Sequence, residues 1–330
     1  MTLPVALTCG DPSGVGIEIA LKASVAIEGT VPFLLIADHR HVAAEAIKHE
    51  ADYYVVQDVA GYDPTNPTLC VLDHPFAEAA HPGKIQPANA AGTIAVIERA
   101  VELVQSGAAS AVCTNPINKK VLQDGAGFAF PGHTEFLAHL GGVDRSVMML
   151  FAPELRVVPV TIHIALEQVK PQLTKSLLRE TILIAHRALI TDFGIPEPRL
   201  AVAGLNPHAG EGGAMGREEI ELINPLIKDL RAGGIMISDA QSADTMFHAA
   251  ARATYDLAVC MYHDQALIPL KTLNFSGGVN ATLGLPFVRT SPDHGTAYNI
   301  AGQAKADPDS LIAALNAAHH MTQNRKRHYA

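Results

Sequence analysis

The sequence predicts an α/β fold of mostly parallel sheets flanked by helices. Short, continuously apolar runs alternate with stretches of helical apolar spacing along most of the chain. Several of those runs stop abruptly in polar residues, His163, His208 and His263 among them. Strands of an open sheet do this where they deliver side chains to its carboxyl edge.

The elements follow in order. Val5 to Cys9 reads as a strand and Gly14 to Ile27 as a helix; Phe33 to Ala37 is a strand and Val42 to Lys48 a helix. Leu69 to Leu72 and Ser110 to Thr114 are strands bracketing the helix Asn89 to Gln105. Val147 to Phe151 and Leu155 to Ile162, joined by Ala152-Pro153-Glu154, read as an antiparallel hairpin. Then come a helix over Leu173 to Phe193, a strand over Leu200 to Leu205, a helix over Glu218 to Ala232, a strand ending at His263, and a final helix over Ser310 to Met321. At 330 residues and 48% hydrophobic, the chain is long enough for about two domains. The expected crossings lie near residues 130 and 280, giving one domain of 1–130 plus 280–330 and a central domain of 131–279.

Composition excludes several classes. The net charge is -9, with no stripe of Lys and Arg, so nucleic acid is not an expected partner. Arg325-Lys326-Arg327 reads as a solvated chain end. No uncharged apolar stretch approaches the roughly 20 residues of a membrane span, and the N-terminal segment lacks the basic region of a signal sequence. Cys9, Cys70, Cys113 and Cys260 are scattered and read as free thiols. A cytoplasmic location is the expectation.

Three strands ending in His163, His208 and His263 could converge on one divalent metal, since neutral imidazoles suit Zn, Co, Ni or Fe. Three protein ligands leave a position open for substrate. A lone strand-end histidine is more often an ordinary loop residue; three in the same position of successive strands make the metal reading competitive. "FPGHTEF" places His133 and Thr134 at a helix start, as caps or as donors to an anion. "NPHAGEGG" combines His208 with glycines that permit close backbone approach to a ligand. Lys271, Asn280 and Arg289 offer donors to phosphate or carboxylate, or are merely solvated. "SPDHGTAYNIAG" reads as a tight loop leading into a helix. "GDPSGVGIE" follows the first strand but lacks the Gly-Lys-Ser/Thr of a phosphate loop, and the chain has no convincing dinucleotide fingerprint.

Together, "GDPSGVG", "PGHTE", "TIHIAL", "NPHAGEGG", "MYHDQ" and "GVNATLGLPFVRTSPDHGTA" resemble the 4-hydroxythreonine-4-phosphate dehydrogenase (PdxA) family of vitamin B6 biosynthesis, over essentially the whole chain. "DHGTAYNIAG" also resembles the adenine-side loop of isocitrate and isopropylmalate dehydrogenases. The resemblance implies their two-domain fold with a non-Rossmann cofactor site. The domain holding both termini would carry the cofactor loop, and the central one the metal site and dimer contacts.

By resemblance, His163, His208 and His263 are metal ligands for Zn, Mg or Co. His133, Thr134, Lys271, Asn280 and Arg289 match substrate-binding positions. His294, Gly295, Thr296 and Asn299 fall in the cofactor loop for NAD or NADP. The family is a homodimer with its site at the subunit interface. Asp264, beside His263, and Asp244 are candidates for acid–base work or for orienting a ligand imidazole. Ile17 departs from a proline common in the family. The implied reaction is oxidation of 4-phosphooxy-L-threonine at C3 with NAD(P)+, then decarboxylation to 3-amino-2-oxopropyl phosphate. The alternatives are a sister dehydrogenase of 4-phospho-D-threonate, D-erythronate or a cis-dihydrodiol dicarboxylate, and, in another class, a three-histidine metal hydrolase or aldolase.

Overall fold

The computed structural model describes residues 3–27 and 30–330. It divides the chain into two compact units, one of residues 1–145 and 285–323, the other of residues 146–284 and 324–330.

The first unit alternates strand and helix: β1 (Val5–Thr8), α1 (Gly16–Ile27), β2 (Phe33–Ala37), α2 (His39–His49), β3 (Tyr53–Val56), β4 (Leu69–Asp73), α3 (Ala90–Gln105), β5 (Ala111–Thr114), α4 (Lys119–Ala126) and α5 (His133–Leu140). The second contains β6 (Val147–Ala152), β7 (Leu155–Thr161), α6 (Leu166–Gln172), α7 (Lys175–Thr191), β8 (Leu200–Ala203), α8 (Asn224–Ala232), β9 (Ile237–Gln241), α9 (Ala249–Arg252), β10 (Leu257–Tyr262), α10 (His263–Leu273) and β11 (Val279–Leu283). β12 (Arg289–Pro292) returns to the first unit, and α11 (Asp309–Tyr329) closes the chain.

In the first unit the strands run in the order β3-β4-β2-β1-β5-β12, and every described pairing is parallel. Every residue of β1, β2 and β5 is buried, as parallel strands must be when helices cover both faces. In the second unit the order is β11-β6-β7-β10-β8-β9. There β6 pairs antiparallel with β11 and β7, while β7, β10, β8 and β9 are parallel. Its core joins Leu150, Val157, Ala201, Ala258 and Cys260 to Ala266 and Leu270, one turn apart on α10.

Several elements differ from the sequence reading. The helix expected over Leu173 to Phe193 is α7, Lys175–Thr191, and a separate short helix, α6, precedes it. Thr174 caps the start of α7, its hydroxyl accepting the Leu177 N–H at 3.2 Å. The helix expected from Glu218 opens instead with a π-helical turn over Glu219–Ile223. Pro225 at the head of α8 has no N–H to return to the residue four before it, so the wider turn forms. The loop after β12 does not lead into a helix; turns occupy it until α11 begins at Asp309. The final helix runs on to Tyr329 and takes Arg325 with it. Arg325 is not a solvated end: its guanidinium donates at 3.0 Å to the buried carboxylate of Asp192. No helix among the described residues is long and apolar enough to cross a membrane.

Candidate active site

His163, His208 and His263 follow β7, β8 and β10, which are neighbours in the sheet of the second unit. Their strand ends are laced together. The Thr161 hydroxyl donates to Met261 O at 2.8 Å. The Gln265 side chain accepts the Met261 N–H at 2.7 Å and donates to Gly204 O at 2.8 Å. One glutamine thus fixes the spacing of β10 and β8 where His263 and His208 emerge.

Each histidine is held differently. His263 is the first residue of α10, and its Nδ1 lies 2.7 Å from Asp264 Oδ1. A carboxylate can only accept, so Nδ1 carries the proton and Nε2 is left for a ligand. His163 and His208 sit at φ 54° and 50°, the left-handed region that side chains rarely adopt. His208 opens a left-handed run that continues through Ala209, Gly210, Glu211 and Gly212. The buried carboxylate of Glu219 organises this loop, accepting from the Asn206 N–H at 2.8 Å and from Asn206 Nδ2 at 3.0 Å. Gly210 packs so closely that a Cβ there would lie 2.7 Å from Glu219 Oε2.

The rings of His163 and His263 stand with centroids 5.5 Å apart. His208 lies on the loop of the adjacent strand, and the three histidines do not form a group with ligand atoms all within 4.8 Å. Asp244 lies in a 3-10 turn after β9, within electrostatic reach of His208. A hydrogen bond from Ser242 holds its carboxyl below the usual carboxylate range. The donor set fits a divalent metal: three imidazoles on adjacent strand ends, one oriented by a carboxylate and two on strained backbone. Also in this unit, Lys271 lies in the last turn of α10, its Nζ 5.7 Å from the centroid of the Phe275 ring. Asn280 on β11 has an enclosed Oδ1 without a hydrogen-bond partner.

The first unit assembles a different set. His133 is the first residue of α5 and Thr134 the second. Neither caps the helix: Gly132 occupies the N-cap and no side chain bonds there, so no side-chain cap satisfies the first-turn N–H groups. His133 Nε2 is enclosed without a partner. Burial, then the charges of Arg289 and Lys119, push its pKa well below the ordinary value, so it is neutral. Arg289 begins β12, is 2% exposed, and donates to Thr114 Oγ1 at 2.6 Å. Burial lowers its pKa to about 10, which leaves it cationic at neutral pH. Lys119 was not singled out from sequence. It stands in "NPINKK", directly after the buried strand β5, and that position was its only signal.

The loop of His294, Gly295, Thr296 and Asn299 also belongs to this unit, with His294, Gly295 and Asn299 exposed. It is tied to the first βα turn. The Val15 N–H donates to Thr296 O at 3.1 Å and the Tyr298 hydroxyl to Asp11 Oδ2 at 2.6 Å. Gly14 allows that approach, since a Cβ there would lie 2.8 Å from Thr296 O. The "GDPSGVG" turn therefore buttresses a second loop. An exposed polar loop on a fixed base suits a nucleotide.

A family model described as pyridoxal phosphate biosynthetic protein PdxA matches residues 29–318. The chain belongs to the PdxA family. Its relatives include the 4-hydroxythreonine-4-phosphate dehydrogenases of Roseobacter denitrificans, 56% identical over 97% of both chains, and Paracoccus denitrificans, 54% identical over 98% of both. A crystal structure of 4-hydroxythreonine-4-phosphate dehydrogenase from Klebsiella pneumoniae superposes with a TM-score of 0.89 at 37% identity, covering 98% of this chain and 100% of the other. A terephthalate 1,2-cis-dihydrodiol dehydrogenase from Burkholderia xenovorans is similar at a TM-score of 0.68 and 28% identity, covering 97% and 98%. PdxA membership makes the chain an oxidoreductase of pyridoxal phosphate biosynthesis. As a dehydrogenase family, PdxA implies a nicotinamide cofactor.

Proposed function

We propose that the chain oxidises 4-phosphooxy-L-threonine at C3 with NAD(P)+, and that the product loses carbon dioxide to give 3-amino-2-oxopropyl phosphate. The observation that carries the metal-dependent part of this reading is the set of three histidines on the laced ends of β7, β10 and β8. The relatives at 54% and 56% identity support the substrate.

His163, His208 and His263 would hold one divalent cation, and three imidazoles favour zinc or cobalt over the magnesium that the family resemblance also allows. When bound, the cation would polarise the C3 hydroxyl and later the carbonyl formed there. The nicotinamide, when bound, would take the hydride from C3. The chain's own residues do the rest. Asp264 holds the His263 ring through Nδ1 and so positions that ligand, while Asp244 lies within electrostatic reach of His208. His133, Thr134, Lys119 and Arg289 offer donors and positive charge to a phosphate, and the uncapped start of α5 adds N–H groups. Lys271 and Asn280 suit the carboxylate and amine of the substrate. His294, Gly295, Thr296 and Asn299 face the nucleotide. Leu166, Ile268 and Phe275, all strongly exposed on the second unit, support a homodimer. The four unpaired cysteines fit a reducing cytoplasm.

Turnover of 4-phosphooxy-L-threonine, 4-phospho-D-threonate and the cis-dihydrodiol dicarboxylate should be compared, reading nicotinamide reduction and carbon dioxide release together. The reading requires both signals from the first substrate and a kcat/KM at least tenfold lower for the others. Preference for either competitor would move the protein to a sister activity.

A further inference from the structure

The helices α1 and α2 carry a cluster that the proposed reaction does not use. Glu18 lies in the first turn of α1, and Glu45 and His49 are one turn apart on α2. Their ligand atoms all lie within 4.8 Å of one another. Glu18 is 2% exposed and Glu45 8%. Each of the three has one enclosed atom without a hydrogen-bond partner: Glu18 Oε2, Glu45 Oε2 and His49 Nε2.

The other carboxylate oxygens are satisfied. Glu18 Oε1 accepts from the Ala306 N–H at 2.8 Å and from Lys22 at 2.9 Å, and Glu45 Oε1 from Lys48 at 2.6 Å. Two of the orphan atoms, His49 Nε2 and Glu45 Oε2, lie 3.8 Å apart. Leaving buried polar atoms unmade is unfavourable by about 1–3 kcal/mol each. A proton shared by the two carboxylates would leave His49 unmet. A protonated His49 would have to reach Glu45 Oε2 at 3.8 Å, beyond hydrogen-bond range, and would leave Glu18 unmet.

We propose that Glu18, Glu45 and His49 bind one divalent transition-metal cation. A cation satisfies all three atoms at once. Ligand atoms about 2.1 Å from such an ion stand about 3.4 Å from one another in tetrahedral geometry, so the pair at 3.8 Å needs to close by only a few tenths of an ångström. One imidazole with two carboxylates selects zinc, manganese or iron over magnesium and calcium. Lys22 and Lys48 already offset the carboxylate charge, so the affinity is moderate. The ion would clip α1 to α2. It would also brace the segment at Ala304 and Ala306, whose carbonyls accept from Lys22 at 3.1 and 2.7 Å.

The test counts metal in a background without the histidine site. The His163→Ala/His208→Ala/His263→Ala protein, stripped with chelator, is titrated with cobalt(II) and separately with zinc and manganese. Bound metal is read by mass spectrometry, and cobalt also by its d–d absorption. One equivalent per chain is expected, with a nitrogen-and-oxygen cobalt spectrum. His49→Ala added to that background should weaken binding at least tenfold, and Glu45→Gln likewise. If the triple variant does not fold, His49→Ala in the otherwise wild-type chain should bind one equivalent fewer than wild type, whatever the strand-end histidines bind. No binding in the folded triple variant, or binding that survives Glu45→Gln with His49→Ala, overturns the proposal. Because the background lacks the strand-end histidines, either result is independent of whether they bind metal.

Discussion

His133 and Arg289 occupy a largely dry corner where charge is expensive, and that sets how each behaves with pH. His133 has its pKa pushed well below the ordinary value of 6.5 by burial and by the Arg289 and Lys119 charges. The unfolded chain takes up a proton near pH 6.5 while the folded chain does not. Stability should therefore fall as pH drops below about 6.5, by up to about 1.4 kcal/mol per unit from this residue. Thermal midpoints at pH 7.5 and 5.5 should show a larger loss for wild type than for His133→Gln; equal losses would contradict a neutral, enclosed imidazole. Arg289→Lys keeps the charge but gives up the planar fork and the bond to Thr114. Its KM for the phosphorylated substrate should rise about tenfold, roughly 1.4 kcal/mol, with a smaller change in kcat. At this scale the sequence was partly legible. His133 and Arg289 stood in recognisable stretches, but Lys119 becomes visible only once the chain brings α4 and α5 together. The bond from Asp264 to His263 was anticipated as one of two roles, because adjacency alone does not fix a side chain's direction.

Strand ends depend on what ties them. The Gln265 side chain joins Met261 on β10 to Gly204 beyond β8, and Glu219 holds the left-handed loop that presents His208. Gln265→Met removes the tie with little change in volume. It should weaken metal binding about 10–100-fold while leaving far-ultraviolet circular dichroism unchanged, as read by competition with a chromophoric chelator. Unaltered affinity would show that the spacing is set by the sheet alone. Buried parallel strands such as Phe33–Ala37 were read to the residue, since a continuous apolar run leaves few choices. β9, with Ser238, Asp239 and Gln241 inside it, was not seen, because its polar residues hide an edge strand. α6 was not seen, because its seven residues carry a proline, Pro171, and bury only Val169, whereas α7 was legible from its apolar spacing.

Across the whole molecule, the histidine set lies in one unit, while His133, Arg289 and the loop around His294 lie in the other. Alternation of strands and helices announced the fold class, and no local pattern could announce the strand order, which depends on crossovers between distant segments. The central claim is metal-dependent, nicotinamide-linked oxidation, and it is tested most directly by following NADH or NADPH absorbance from 4-phosphooxy-L-threonine. Wild type should reduce the cofactor, lose activity with a chelator and regain it with zinc or cobalt, and His208→Ala should be at least a hundredfold slower under the same metal. Undiminished turnover in chelator, or in folded His208→Ala, would contradict the account.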